Sequence, residues 1–299
     1  MSSNNSLLKG VLLVGLGATS YGMLATFVKL AYAEGFNTVE VTISQFTYGI
    51  FGLLCINFFN KRKSKITIEK ASSKNIFQLM LAGTSLGLTS VFYYLAIKYI
   101  PVSIAIILLM QTVWMGVFLE AILDKKFPSL QKTIAVVVVL FGTFLATNLI
   151  NSEVHFEWQG IVLGMLSAAS FTTTMFTSNK IATHISAAQR SLYMLLGGAI
   201  IVLIFAFFNY SGVFNVAIFW KWGLVVSLFG TIIPPMLFNA GFPKTGIGLG
   251  SIVASLELPV SVLMAYFLLN ETVVALQWFG ISLIIMAIVI MNINFMKSR

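Results

Sequence analysis

Charge is scarce in this sequence. Asp, Glu, Lys and Arg together make up 9% of the 299 residues, where a soluble domain carries roughly 25%. With 58% hydrophobic residues there is too little polar surface to cover a water-soluble globule, so the surplus apolar area has to face lipid. Cysteine is limited to Cys55, which excludes an internal disulfide and says nothing about redox compartment. Histidine is limited to His155 and His184, and no group of Cys, His, Asp and Glu has metal-ligand spacing. Gly83-Thr-Ser85-Leu-Gly87 matches the hydrolase pattern G-x-S-x-G. That pattern needs a strand–turn–helix elbow and a nearby histidine, and here it lies inside a helix-length apolar run. Gly15, Gly17 and Gly22 follow no strand and form no phosphate loop. These absences argue against an enzyme, and against ATP-driven transport without a further subunit.

What the sequence has in abundance is long apolar runs. A membrane span needs about 20 mostly apolar residues. Ten segments meet this, near 8–31, 39–59, 76–97, 101–123, 131–150, 159–180, 187–208, 217–240, 246–269 and 275–294. The first is expected to be retained as a span, because no small-residue cleavage site follows it. With the N-terminus inside, all of the 18 basic residues except Lys29, Lys98 and Lys221 fall at cytoplasmic ends. Glu34, Glu40, Glu153, Glu157 and Glu271 fall outside. The net charge of +9 therefore reads as a positive-inside topology signal and not as a nucleic-acid footprint. Trp158, Trp220, Trp222 and Trp278 sit at predicted outer ends, as an interfacial belt would, while Trp114 lies at mid-span. Both termini are expected in the cytoplasm, and the membrane is expected to be the cell's inner, or plasma, membrane.

The two halves of the chain resemble each other. Leu130-Gln131 aligns with Leu276-Gln277, and at the same offset Lys98 meets Lys244, Phe92 meets Phe238 and Gln111 meets Glu257. Nearer the starts, Leu16-Gly-Ala-Thr-Ser20-Tyr21 meets Leu166-Ser-Ala-Ala-Ser170-Phe171. Five spans per half is an odd number, so the second copy must be inverted, an arrangement typical of secondary transporters. The expected fold is an all-α integral membrane protein of ten transmembrane helices, with one five-helix repeat over 1–150 and a second, inverted one over 151–299.

The ends of the halves read Ala96-Ile-Lys-Tyr-Ile-Pro101-Val-Ser-Ile-Ala105 and Leu119-Glu-Ala-Ile-Leu-Asp124, then Glu257-Leu-Pro259-Val-Ser, Leu268-Leu-Asn-Glu271 and Gln277-Trp-Phe-Gly280. In these segments the chain resembles the ten-span, EamA-type permeases of the drug/metabolite transporter superfamily. The resemblance implies the fold and a transport role, and it is nearly silent about substrate. The family often has proline in the fourth span and arginine in the second, where this chain has Val113 and Gln45.

Glu257 falls near the middle of the ninth span, on one helical face with Gly250, Ala254 and Ser261. A carboxylate at that depth costs several kcal/mol unless it faces water or a partner. It either binds a substrate amine or a coupling proton, or it holds a structural hydrogen bond to a neighbouring helix. Gln111 has the related place in the fourth span, with Trp114 one turn on as an aromatic wall. Tyr21, Tyr93, Ser170 and Asn239 complete the candidate set, drawn from polar clusters in the first, third, sixth and eighth spans. Pro234-Pro235 should kink the eighth span, as a gating hinge or as architecture.

The function expected is secondary transport by alternating access around a mid-membrane cavity. The resemblance points to export of amino acids or similar amphipathic metabolites. The alternatives are multidrug or toxic-compound efflux, a non-transporting scaffold and a membrane-embedded enzyme. No cofactor is expected. The expected partners are a small-molecule substrate, the lipid bilayer and a coupling proton, with no nucleic acid.

Overall fold

The computed structural model describes residues 2–63, 71–97, 99–100, 102–147, 157–210 and 212–297. Every regular element among them is helical: α1 (Ser2–Ala33), α2 (Thr38–Lys63), α3 (Ser73–Ala96), α4 (Val102–Leu109), α5 (Thr112–Asp124), α6 (Leu130–Ala146), α7 (Trp158–Lys180), α8 (Ala187–Asn209), α9 (Leu224–Ser227), α10 (Ile233–Thr245), α11 (Ile247–Ala254), α12 (Glu257–Leu268) and α13 (Ala275–Lys297). Eight helical segments, some built from two of these elements, are long and apolar enough to cross a membrane. Leu130–Ala146 and Ala275–Met291 are shorter apolar helices. Leu203, Phe207 and Phe208 of α8 point outward, which suits a hydrocarbon surround and would be costly in water.

Helix starts follow local capping chemistry. Ser72, Ser129 and Ser186 each accept a hydrogen bond from the backbone three residues on, at Asn75, Lys132 and Gln189. Each such cap satisfies one of the orphan N–H groups of a first turn. All three caps lie at one end of the bundle, together with Lys61, Arg62, Lys125, Lys126, Lys180 and Lys244. This end is called the basic face below.

Small residues set the helix crossings. Gly83 of α3 lies against the backbone of Met194 in α8, and Gly197 of α8 against the backbone of Met80 in α3. A β-carbon at either position would strike main chain, so the two helices can approach this closely only as glycine. Hydroxyl pairs tie α3 and α5 to α7: Ser85 to Thr174 at 2.8 Å and Thr112 to Thr172 at 2.8 Å. Helix α1 packs on α10 and on α11–α12, α2 on α8 and on the α9–α10 segment, α5 on α11, and α6 on α13.

Two spans expected to be continuous, the fourth and the ninth, are interrupted, and the eighth, expected to kink at Pro234-Pro235, is helical throughout but irregular just before those prolines. The fourth breaks at Met110–Gln111 between α4 and α5, and the ninth at Ser255–Leu256 between α11 and α12. Pro259 explains the second break, because it cannot donate to the Ser255 carbonyl one turn back. The first break forms with Val113 at the matching position, so proline is not its cause. Met110 and Leu258, next to the two breaks, share one apolar cluster with Ala146, Ile281 and Ile284. The eighth span is wound as two π-helical turns, Phe219–Gly223 and Leu228–Ile232, around α9. Pro234 and Pro235 then open α10, in the first turn where a missing N–H costs least. Gly246, with φ of 77°, joins α10 to α11 in a single residue, a backbone state that L side chains avoid.

Candidate functional site

Glu257 is the first residue of α12, immediately after the break in the ninth span. Its backbone carbonyl lies against Gly22 of α1. The carboxyl is half-buried, and no hydrogen bond or ion pair to it exists among the described residues. The phenols of Tyr21 and Tyr93 lie within electrostatic range of it, and none of the ion pairs among the described residues involves it. Tyr21 is wedged against Phe171 of α7 and Phe238 of α10, with ring centroids 6.0 and 5.6 Å away. Tyr93 stacks edge-on to Tyr94 at 6.1 Å. Helices α1, α3, α7, α10 and α12 thus bring a carboxylate and aromatic side chains into one region of the bundle.

The other candidates stand apart from this group. Gln111 donates from Nε2 to the Ile107 carbonyl at 3.1 Å, and Trp114 donates from Nε1 to Gln111 Oε1 at 2.9 Å. The pair seals the break of its own helix, Trp114 is 37% exposed, and no bond links either residue to Glu257. Ser170 is half-buried and its hydroxyl has no partner among the described residues. Asn239 is buried, donating to Ser191 Oγ at 2.9 Å while its backbone carbonyl accepts from Arg190 at 2.6 Å. Its Oδ1 has no partner.

Three charged residues have roles that their sequence positions do not announce. Arg190, read from sequence as one more cation of the cytoplasmic side, is only 1% exposed. It donates to the carbonyls of Thr177, Ser178 and Ile181 at the end of α7 and of Asn239 in α10, at 2.6 to 3.0 Å. A guanidinium at a helix C-terminus complements both the orphan carbonyls and the dipole. Its only signal in the sequence is its position four residues after the Ser186 cap. Glu40 accepts from the backbone of Asn37 at 2.8 Å and of Asn215 at 2.7 Å, tying the start of α2 to the loop before α9. Glu120 of α5 pairs with Lys132 of α6 and accepts from the Gly248 backbone of α11 at 3.2 Å.

Two of the three lysines that depart from the positive-inside pattern are neutralised. Lys29 pairs with Glu271 at 2.6 Å and Lys221 with Glu34 at 2.9 Å. The Lys221 ammonium, donating to Glu34, holds that carboxyl below the usual carboxylate range. Lys98 lies outside the described residues. Two clefts open around the C-terminal end of α7. One, of about 240 Å³, is lined by Glu120, Asp124, Asn179 and Gly246, among others, and the other, of about 400 Å³, by Gln78, Ala82 and Lys180, among others. Neither is lined by Glu257.

A bundle of this length and apolarity, with a carboxylate held inside it, defines a polytopic helical membrane protein. Two segments, residues 8–148 and 158–293, each match the model of the EamA-like transporter family, and the chain belongs to that family. Its fold is similar to that of a solved chain titled only as the crystal structure of a protein. The TM-score is 0.76 over 95% of this chain and 96% of that one, at 14% identity. No curated protein matches the sequence.

Proposed function

We propose that this membrane transporter is a secondary carrier that exports amino acids or similar small amphipathic metabolites, by alternating access about the mid-depth site at Glu257. One observation carries the reading: Glu257 is an unpartnered carboxylate at a helix break, within range of two tyrosines. A structural carboxylate at that depth would be expected to have a hydrogen-bonded partner, and none exists among the described residues. The unpartnered carboxylate is therefore available to a substrate ammonium or to a proton.

The reading includes two inverted repeats, 1–150 and 151–299, with both termini in the cytoplasm. The packing supports it, because the helix pairs exchange when each span of one half is swapped for its counterpart in the other. Helix α3 on α7 corresponds to α10 on α1, α3 on α8 corresponds to the α9–α10 segment on α2, and α5 on α11 and α6 on α13 map onto themselves. The two helix breaks fall at corresponding positions, beside Gln111 and Glu257. Alternating access then amounts to one half rocking on the other around the site.

Purified protein in liposomes, screened for uptake of labelled amino acids, amines and cationic drugs, tests the proposal. Saturable uptake of amino acids driven by an imposed pH gradient is expected. Uptake of cationic drugs with none of amino acids would favour the efflux alternative, for which the aromatic lining and the lack of an ion pair at Glu257 among the described residues speak. No gradient-driven flux of any probe would contradict both readings.

A further inference from the structure

Among the described residues, the ion pairs that join the two family-matched segments lie at one end of the bundle. Lys29 of α1 pairs with Glu271 at 2.6 Å, and Lys221 pairs with Glu34 at 2.9 Å. In each, one partner belongs to residues 8–148 and the other to 158–293, and both pairs lie at the end opposite the basic face. The third ion pair among the described residues, Glu120 with Lys132, stays within the first segment.

The Lys29–Glu271 pair lies on the same seam as the Glu257 site. Helix α1 packs along α12, with Gly22 against the Glu257 carbonyl and against Val260. Lys29 follows Gly22 by seven residues on the same helix. Two turns return it to the same face of α1, about 10 Å further from the basic face. Glu271 is held at the end of α12 by the backbone. Asn270, with φ of 53°, turns the chain back, and the Glu271 N–H donates to the Ala265 carbonyl at 3.2 Å. The pair therefore closes the α1–α12 seam beyond Glu257.

The corresponding seam at the basic face stands open. At the offset of 150 that matches Tyr21 with Phe171, the counterpart of Lys29 is Asn179 of α7. The counterpart of the end of α12 is the end of α5. Asn179 and Leu123–Asp124 line the cleft of about 240 Å³. No bond joins Asn179 to Asp124 among the described residues, and the Asn179 amide donates instead to the Phe242 carbonyl of α10 at 2.6 Å.

We infer that the Lys29–Glu271 pair is the outer latch of the carrier, holding the α1–α12 seam shut while its counterpart is parted at the basic face, and breaking each time the Glu257 site opens outward. The inference rests on the transport reading above and adds to it the contact that governs outward opening. The strength of the pair suits a latch. Its two side chains are 49% and 47% exposed, and an exposed ion pair shifts an equilibrium by only about 1.4- to 5-fold. That biases two conformations without locking either. Lys221–Glu34 ties the same end of α1 to the eighth span and acts in the same direction.

The test places Ser261→Cys in a Cys55→Ala background. Ser261 is half-buried on α12, one turn beyond Glu257. Its labelling by a membrane-impermeant thiol reagent is timed in intact cells, where only the outer side is exposed. Lys29→Met and Glu271→Gln should each speed labelling by about 1.4- to 5-fold, and Lys29→Met with Lys221→Met should speed it further. Lys29→Glu with Glu271→Lys rebuilds the pair in reverse and should return the rate to that of the parent. Each of these proteins should unfold within about 3 °C of the parent, as loss of an exposed pair implies. An unchanged rate in the single variants, no recovery in the exchanged pair, or a larger fall in unfolding temperature would overturn the inference while leaving the Glu257 reading intact. No labelling from outside in any of the proteins would overturn both.

Discussion

At the scale of single residues, the buried polar side chains divide by whether their bonds are already made. Arg190 has spent its donors on four carbonyls, three of them at the end of α7. Arg190→Leu orphans those carbonyls at about 1–3 kcal/mol each where water cannot reach them. The unfolding temperature in detergent should fall by at least about 4 °C, and Arg190→Lys should recover only part of it, since an ammonium cannot reproduce the planar fork. An unfolding temperature unchanged in Arg190→Leu would show that these bonds contribute nothing. Glu257 is the reverse case, half-buried and without a partner among the described residues. The sequence indicates which residue types stand at mid-span, and Glu257 stands out there because an acid at that depth is costly. It does not indicate which of them face one another. Gln111 and Trp114 have the right depth and type, but three residues apart they bond to each other, and the direction the pair faces is decided by packing of α5 against α7 and α11.

At the scale of elements, the number of spans was legible and their interruptions were not. Twenty apolar residues are long enough to cross a bilayer whether the helix is whole or broken, so composition cannot distinguish the two. Pro259 could have signalled the break at Ser255–Leu256. Nothing local signals the one at Met110–Gln111, where Val113 replaces a proline, and π-helical turns have no compositional signature. Close helix crossings are more predictable once the structure is known. Gly197 of α8 meets the Met80 backbone, whereas a β-carbon on Gly15 of α1 would sit 3.7 Å from Val253, in ordinary contact. Gly197→Ala should therefore force α3 and α8 apart and cost on the order of 1–3 kcal/mol, lowering both folded yield and unfolding temperature. Gly15→Ala should be neutral or slightly stabilising. Equal behaviour of the two variants on fluorescence-detected gel filtration with a thermal ramp would contradict the packing described.

At the scale of the whole molecule, the basic face and the apolar girdle make a claim about orientation. Phe127 is fully exposed in the loop between α5 and α6, and Val213 is exposed in the loop before α9, at the opposite end. With Cys55 replaced by alanine, Phe127→Cys should label only from the cytoplasm and Val213→Cys only from outside, because Lys and Arg in short loops are retained inside. Labelling of both from the same side would break the ten-span topology. The central claim is that transport depends on the charge at Glu257, and reconstituted Glu257→Gln protein tests it most directly, since the change keeps shape and removes charge. Net uptake of phenylalanine driven by a pH gradient should fall by at least about tenfold, as loss of a charged contact implies, while the folded yield stays at the wild-type level. If the carboxyl carries the coupling proton, exchange of substrate for substrate persists in the variant. Wild-type rate, affinity and pH dependence in Glu257→Gln would contradict the account.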